Sequence, residues 1–93
     1  MKSFKLGEIV KSKAGRDKDS YYLVNKIIDA KYIEVVDGNK RKIKNPKKKN
    51  IKHLEKTGYI AEELKVWLEN GKRVRNEDIK LVIKDFEDNK EAK

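Results

Sequence analysis

The stretch RKIKNPKKKN, residues 41–50, places six lysines and arginines in ten residues with no acid among them. Ammonium and guanidinium groups bind phosphate oxygens, and one arginine can bond a phosphate through two nitrogens. The run is either a lysine-rich strand edge that resists aggregation or one wall of a site for a polyanion. Nine cations and one acid lie between Lys40 and Lys56, more than edge protection requires. We therefore expect a polyanion site here.

A second candidate segment is the loop KSKAGRDK, residues 11–18, where four cations surround Gly15. Glycine lets the backbone turn tightly or approach a phosphate closely, so the loop is either a simple turn or part of the same surface. Asp17, Asp19 and Asp29 lack the partners and spacing of catalytic carboxylates, and we interpret them as turn residues. The predicted contact residues of the two segments are Lys11, Lys13, Arg16, Lys18, Lys40, Arg41, Lys42, Lys44, Lys47, Lys48, Lys49, Lys52 and His53.

Charge is distributed unevenly along the 93 residues, which carry a formal net charge of +9. Residues 1–58 hold 17 lysines and arginines against 7 acids, whereas residues 59–93 hold 8 against 9. The polyanion site is therefore expected in the first part. A nucleic acid is the first candidate partner and an anionic membrane the second.

The residues that perform chemistry in other proteins are scarce here. The chain has no cysteine and one histidine, His53, so we expect neither a disulfide, a thiolate nucleophile, a metal site nor a cofactor. The first ten residues lack the apolar core of a secretion signal, and no apolar run reaches the roughly 18 residues of a membrane span. We expect a cytoplasmic protein without a membrane partner.

The elements that must position the cations form a β module followed by a helical hairpin. Runs rich in β-branched and aromatic residues, separated by short loops, predict five strands. The Asp-Gly pair in DGNK, residues 37–40, predicts a tight hairpin between the third and fourth strands, and Pro46 predicts a loop or edge segment before the fifth. The predicted strands cover residues 8–12, 21–28, 32–36, 40–44 and 50–54.

Helical spacing begins after Gly58. Ile60, Leu64, Trp67 and Leu68 share one face of a first helix, which Gly71 is expected to end. Asn76 is the expected N-cap of a second helix. Its apolar stripe consists of Ile79, Val82, Ile83 and Phe86. We predict two domains, a barrel over residues 1–57 and a two-helix extension over residues 58–93.

The stretch GEIVKSKAGRDKDSYYLV resembles the KOW motif, with Gly7, Val10, Gly15 and Val24 at matching positions. In that family the motif opens a small SH3-like barrel. The resemblance continues through YIEVVDGNKRKIKNPKKKNIKHL and is to bacterial KOW-domain RNA-binding proteins, related to KOW-bearing large-subunit ribosomal proteins of archaea and eukaryotes. The motif often has a second glycine four residues after the central one, where this chain has Asp19. The helices lie outside the resemblance, which covers residues 5 to 56.

What the resemblance implies is a non-enzymatic protein that binds structured RNA. Ribosomal RNA of the large subunit is the expected partner, ribosomal proteins are expected neighbours, and off the ribosome we expect a monomer. One alternative is a KOW protein-interaction module of transcription elongation that contacts RNA polymerase or nucleic acid. Another is a small ribonuclease using His53 with lysines. Tyr21, Tyr22 and Tyr32 are either stacking faces for bases or core residues, and Trp67 is a core or partner-binding residue.

Overall fold

A computed structural model describes residues 3–90 of the chain. It contains one five-stranded antiparallel sheet followed by two helices, which confirms the predicted class, mainly β with C-terminal α. A single 3-10 turn, Ile51–His53, joins the last two strands. The elements are β1 (Glu8–Ser12), β2 (Tyr21–Ile27), β3 (Tyr32–Val36), β4 (Lys47–Asn50), β5 (Leu54–Ile60), α1 (Glu62–Glu69) and α2 (Asn76–Lys90).

The first three strands lie where the runs of β-branched and aromatic residues predict them, with β2 ending one residue earlier, at Ile27. The fourth does not: residues 40–44 form no strand, and β3 pairs instead with Lys47–Asn50. The Asp37 carboxylate accepts hydrogen bonds from the backbone N–H groups of Asn39 and Arg41, both at 2.8 Å, and so closes a wider turn than a two-residue hairpin. The backbone N–H of Ile43 then donates to the Asn76 side chain at 2.9 Å. The segment thus contacts α2 instead of extending the sheet.

The fifth strand also starts later than predicted, at Leu54, because Asn50 caps the 3-10 turn. Its side-chain oxygen accepts a hydrogen bond from the backbone N–H of Lys52 at 3.0 Å. The strand then continues to Ile60, so a domain boundary at residue 57 falls inside it.

The sheet is strongly curled, as its strand order and the short link between its edges require. The order is β4-β3-β2-β1-β5, with Asn50 paired to Tyr32 at one corner and Leu54 paired to Ser12 at the opposite corner. In a flat sheet these corners would lie about 25–30 Å apart. The four residue steps from Asn50 to Leu54 span at most about 14 Å. The backbone N–H of Ile51 donates to the carbonyl oxygen of Lys31, and the backbone N–H of Lys13 donates to the carbonyl oxygen of His53. These bonds fasten the 3-10 turn to both corners.

Apolar side chains alternate between the two faces of the sheet and form two buried clusters. The inner cluster lies inside the curl, and the outer cluster lies between the sheet and the helices. Neither the sheet nor the helices could bury their apolar faces alone, so the outer cluster couples them. The inner cluster contains Phe4, Val10, Tyr22, Val24, Ile33, Val35 and Leu54, and the outer cluster contains Ile9, Leu23, Val36, Ala61, Leu64, Val74, Ile79 and Ile83.

Helix α2 follows its predicted stripe, and α1 packs Leu64, Trp67 and Leu68 on the outer cluster, with Trp67 half-buried. Ile60, which the spacing places on the first helix, is instead the last residue of β5, and α1 begins only at Glu62. Asn76 is the first residue of α2 and not its N-cap, since its side chain is used by Ile43. The loop between β3 and β4, residues 37–46, which we call the basic loop, is in close contact with α2 at Gly38, whose φ is +79°. A Cβ there would overlap the carbonyl oxygen of Asn76 and lie 2.9 Å from Lys80 Cγ. Glycine is therefore required where the basic loop meets α2.

Candidate nucleic-acid interface

The two predicted cationic segments meet at an open, polar cleft of about 480 Å³ between the β1–β2 loop and the loop that follows β3. Arg16 comes from the first segment, and Lys40, Arg41 and Lys47 come from the second. With Asp17 and Asp37, the lining residues have a formal charge of +2. We call this the first cleft; its remaining lining residues are Ser20, Tyr22 and Asn45.

Most of the other predicted contact residues are exposed but do not line the first cleft. The Lys48 ammonium lies 4.6 Å from the centre of the Tyr32 ring, a cation–π contact on the outer side of β4. Lys11 faces Asp19 at 3.7 Å and is partly buried. The exposed members are Lys13, Lys18, Lys42, Lys44, Lys48, Lys52 and His53.

Lys49 does not fit the predicted contact surface. Only 8 % of it is exposed, and its ammonium donates to Ser12 Oγ and to Asp17 Oδ1, each at 3.0 Å. A buried, paired ammonium cannot reach a phosphate without breaking this pair. Its role in the folded chain is to hold β4 against the β1–β2 loop.

Asp17, which the sequence suggested to be an ordinary turn residue, is the centre of a buried polar network. Its carboxylate accepts hydrogen bonds from Ser12 Oγ at 2.9 Å and from the Tyr22 hydroxyl at 2.7 Å. It also accepts from the ammonium groups of Lys47 and Lys49, each at 3.0 Å. One carboxylate therefore joins β1, β2 and β4 on the floor of the first cleft.

The network shifts two pKa values in opposite directions. Burial by itself raises the pKa of Asp17, but the hydrogen bonds from Tyr22, Lys47, Lys49 and Ser12 outweigh it and hold that pKa well below its ordinary value. Burial, followed by the hydrogen bond to the Asp17 carboxylate, raises the pKa of the Tyr22 hydroxyl. Asp17 is therefore ionised and Tyr22 protonated at neutral pH.

The β1–β2 loop has two residues with left-handed backbone conformation. Gly15 has a φ of +85°, and Asp19 has a φ of +74°, the left-handed region that favours glycine. Asp19 is the position at which the KOW motif often has its second glycine. The side chain of Asp19 is exposed and faces Lys11. The acid thus occupies a glycine-like backbone position at the rim of the cationic surface.

The aromatic residues that could have stacked on bases are mostly engaged within the fold. Tyr22 is only 4 % exposed and lies in the inner cluster. The Tyr21 ring packs against the Phe86 ring, with 5.2 Å between centroids. Tyr32 is half-buried beneath Lys48. A stacking role is thus unfavourable for Tyr22, which serves the core.

A scan against models of known protein families gave no match to this chain, and neither did a search of curated protein sequences. Within residues 3–90, histidines, aspartates and glutamates form no group of three that could hold a metal ion. No helix in that part of the chain is both long and apolar enough to cross a bilayer.

Proposed function

We propose that this protein is a non-enzymatic, KOW-type RNA-binding protein with an SH3-like barrel. Its partner would be structured RNA, with ribosomal RNA of the large subunit first, in a translation or ribosome-associated role in the cytoplasm. Off the ribosome it would be a monomer, and on it ribosomal proteins would be neighbours. The RNA backbone would lie over the first cleft and the exposed cations around it.

The observation that carries the proposal is the convergence of Arg16, Lys40, Arg41 and Lys47 on one open cleft. Among residues 3–90, Arg16, Lys40 and Arg41 take part in no ion pair, so their charge is available to an external anion. Arginine can bond a phosphate through two nitrogens, which suits both arginines to this role. A cleft of this charge on a chain of net charge +9 is a site for a polyanion.

Two features of the backbone favour a KOW-type barrel. Within the β1–β2 loop, left-handed conformations fall at Gly15 and at Asp19, the central glycine of the motif and the position of its frequent later glycine. The three-residue 3-10 turn, Ile51–His53, holds opposite corners of the curled sheet together. These features agree with the resemblance of residues 5 to 56 described above.

The chemistry of the surface favours recognition of shape over sequence. Lysine contacts to phosphates position a protein on a nucleic acid and carry little information about bases. Folded RNA presents phosphates and 2′-hydroxyls in arrangements that depend on its shape. We therefore expect tighter binding to structured RNA than to unpaired RNA or to duplex DNA of the same length.

The proposal can be tested by equilibrium binding to an RNA hairpin at several salt concentrations. The test variant changes Arg16, Lys40 and Arg41 to Gln, and the control variant changes Lys5, Lys80 and Lys84 to Gln. Both lose three charges, but the control residues are exposed outside the first cleft. Each phosphate that a cation neutralises releases about one condensed counterion, so every lost contact makes the slope of log K against log salt shallower by about one unit. We expect the test variant alone to flatten this slope, by about two to three units.

Equal losses in the two variants would refute the first cleft as the RNA site. Sedimentation of the tagged protein with the large ribosomal subunit, in low salt and in high salt, tests the ribosomal setting. Recovery with RNA polymerase instead would favour the transcription-elongation alternative. Cleavage of the hairpin, abolished by His53→Ala, would refute the non-enzymatic assignment.

A further inference from the structure

A second basic cleft, of about 420 Å³, lies between the α1–α2 linker and the loop that follows β3. Four cations line it: Lys44 on the loop, and Lys72, Arg73 and Arg75 on the linker. Glu77 is the one acid in its lining, which gives a formal charge of +3. We call it the linker cleft.

The linker is held in a defined conformation at the end of α1. Gly71, with a φ of +70°, donates its backbone N–H to the carbonyl of Leu68 at 3.3 Å. The N–H of Lys72 donates to the carbonyl of Trp67 at 2.8 Å. This pair of bonds is a Schellman motif, which terminates a helix and fixes the direction of the following chain. Lys72 therefore leaves the helix in a set direction.

The other side of the linker is fixed by the core and by the basic loop. Val74 is buried in the outer cluster, between the exposed residues Arg73 and Arg75. The hydrogen bond from the Ile43 backbone N–H to the Asn76 side chain ties the loop to the first turn of α2. Because both walls are anchored, the backbone that carries these cations needs little ordering when an anion binds, and this lowers the entropic cost.

The charges of this cleft are largely free within the folded chain. Arg75 faces Asp78 at 3.5 Å, but 68 % of its side chain is exposed, where such pairs contribute little. Lys44, Lys72 and Arg73 take part in no ion pair within residues 3–90. Their positive charge is not offset by a partner of their own.

The two clefts share one wall. Along residues 40–45, Lys40, Arg41 and Asn45 line the first cleft, while Ile43 and Lys44 line the linker cleft. An extended polyanion that crosses this loop would meet cations on both sides of it.

We propose that the linker cleft is a second phosphate-binding site, so that one RNA backbone crosses the loop and contacts both clefts. This inference rests on the proposed RNA-binding function and extends it to the helical part of the chain. The net charge of residues 59–93 hides this site, because the acids of that part outnumber its cations by one. The helices would thereby serve RNA binding directly, by holding the linker against the basic loop.

The test uses the full chain and an RNA hairpin with a stem of about twenty base pairs. The linker variant changes Lys72, Arg73 and Arg75 to Gln, and the control is again the Gln variant of Lys5, Lys80 and Lys84. We expect the linker variant to lose about tenfold or more in affinity at moderate salt. Its slope of log K against log salt should flatten by about two to three units, one for each lost phosphate contact.

A third variant, with Arg73 and Arg75 changed to Lys, keeps the charge and should retain most of the slope. The urea midpoint of each variant, followed by the fluorescence of the single Trp67, checks that the fold is intact. If the linker and control variants bind alike while the wild type binds the hairpin, the second site is refuted and the proposed function stands. If the wild type does not bind the hairpin at all, the proposed function itself is refuted, and this site with it.

Discussion

Replacing Asp17 by alanine should be among the most destabilising single changes to a polar residue of this protein. The carboxylate accepts four hydrogen bonds, two of them from lysine ammonium groups, and its side chain is 13 % exposed. Without it, the buried Lys49 ammonium has only Ser12 Oγ as a partner. The Tyr22 hydroxyl loses its acceptor as well.

The size of the effect follows from the burial of these groups. Removing one partner of a buried ion pair costs about 3–5 kcal/mol, because the remaining charge is left uncompensated. Lys47 is more exposed and adds less, since solvent replaces part of its lost interaction. A domain of this size is stable by roughly 5–10 kcal/mol, so the loss would remove a large fraction of the total.

Urea unfolding at neutral pH, followed by Trp67 fluorescence and circular dichroism, measures the loss directly. With a slope of about 1–1.5 kcal/mol per molar urea, typical of small proteins, the midpoint should fall by roughly 2–5 M. Asp85→Ala is the matched control, because it removes the same charge from an exposed helical position. We expect its free energy of unfolding to stay within about 0.5 kcal/mol of the wild type.

A double-mutant cycle separates the ion pair from other effects of the substitution. Lys49→Met removes the buried charge and keeps much of the side-chain volume. In the Asp17→Ala background it should therefore recover part of the lost stability, with a coupling of about 1–3 kcal/mol. If Asp17→Ala costs under 1 kcal/mol, or if the two changes are additive, the network does not hold β4 to the loop as argued.

Two further predictions concern the same loop. The pKa of Asp17 is lowered by folding, so its contribution is fully present above about pH 5 and is lost as pH falls through the folded value. Urea unfolding between pH 5 and pH 2.5 should therefore show a weaker pH dependence for Asp17→Asn than for the wild type, and parallel curves would contradict this. Asp19→Gly and Asp19→Ala remove the same charge, but only glycine accepts a φ of +74° without cost. The alanine variant should be less stable than the glycine variant by about 1 kcal/mol and so have the lower urea midpoint; equal midpoints would show that the position is not strained.

The sequence predicted the parts of the fold in which apolar residues alone determine the pattern. In β1, β2 and β3 most buried positions are branched aliphatic residues or Tyr22, in short apolar runs typical of strands whose two faces are both covered. The helices show the same agreement, because stripes such as Leu64, Trp67 and Leu68 must face the sheet. In each of these strands and helices, the apolar residues that form the element are also the local pattern that predicts it.

β4 could not be predicted in this way, because its one buried side chain is a lysine. A lysine is buried only when a partner offsets its charge, and this partner, Asp17, is 32 residues away in the sequence. No local pattern contains that information.

The linker cleft could not be predicted for a related reason. Its cations lie among acids along the chain, and only the fold separates the two.

The lysine run of residues 47–49 shows how one local composition serves two purposes. Successive side chains of a strand point to opposite faces, so Lys47 and Lys49 point toward Asp17 while Lys48 lies over Tyr32. The three lysines are equivalent in composition, yet one is structural, one lies at the edge of the first cleft and one is exposed. Changing all three to glutamine would therefore combine a loss of stability with a loss of phosphate contacts. Changing Lys48 alone would probe the surface, and changing Lys49 alone would probe the fold.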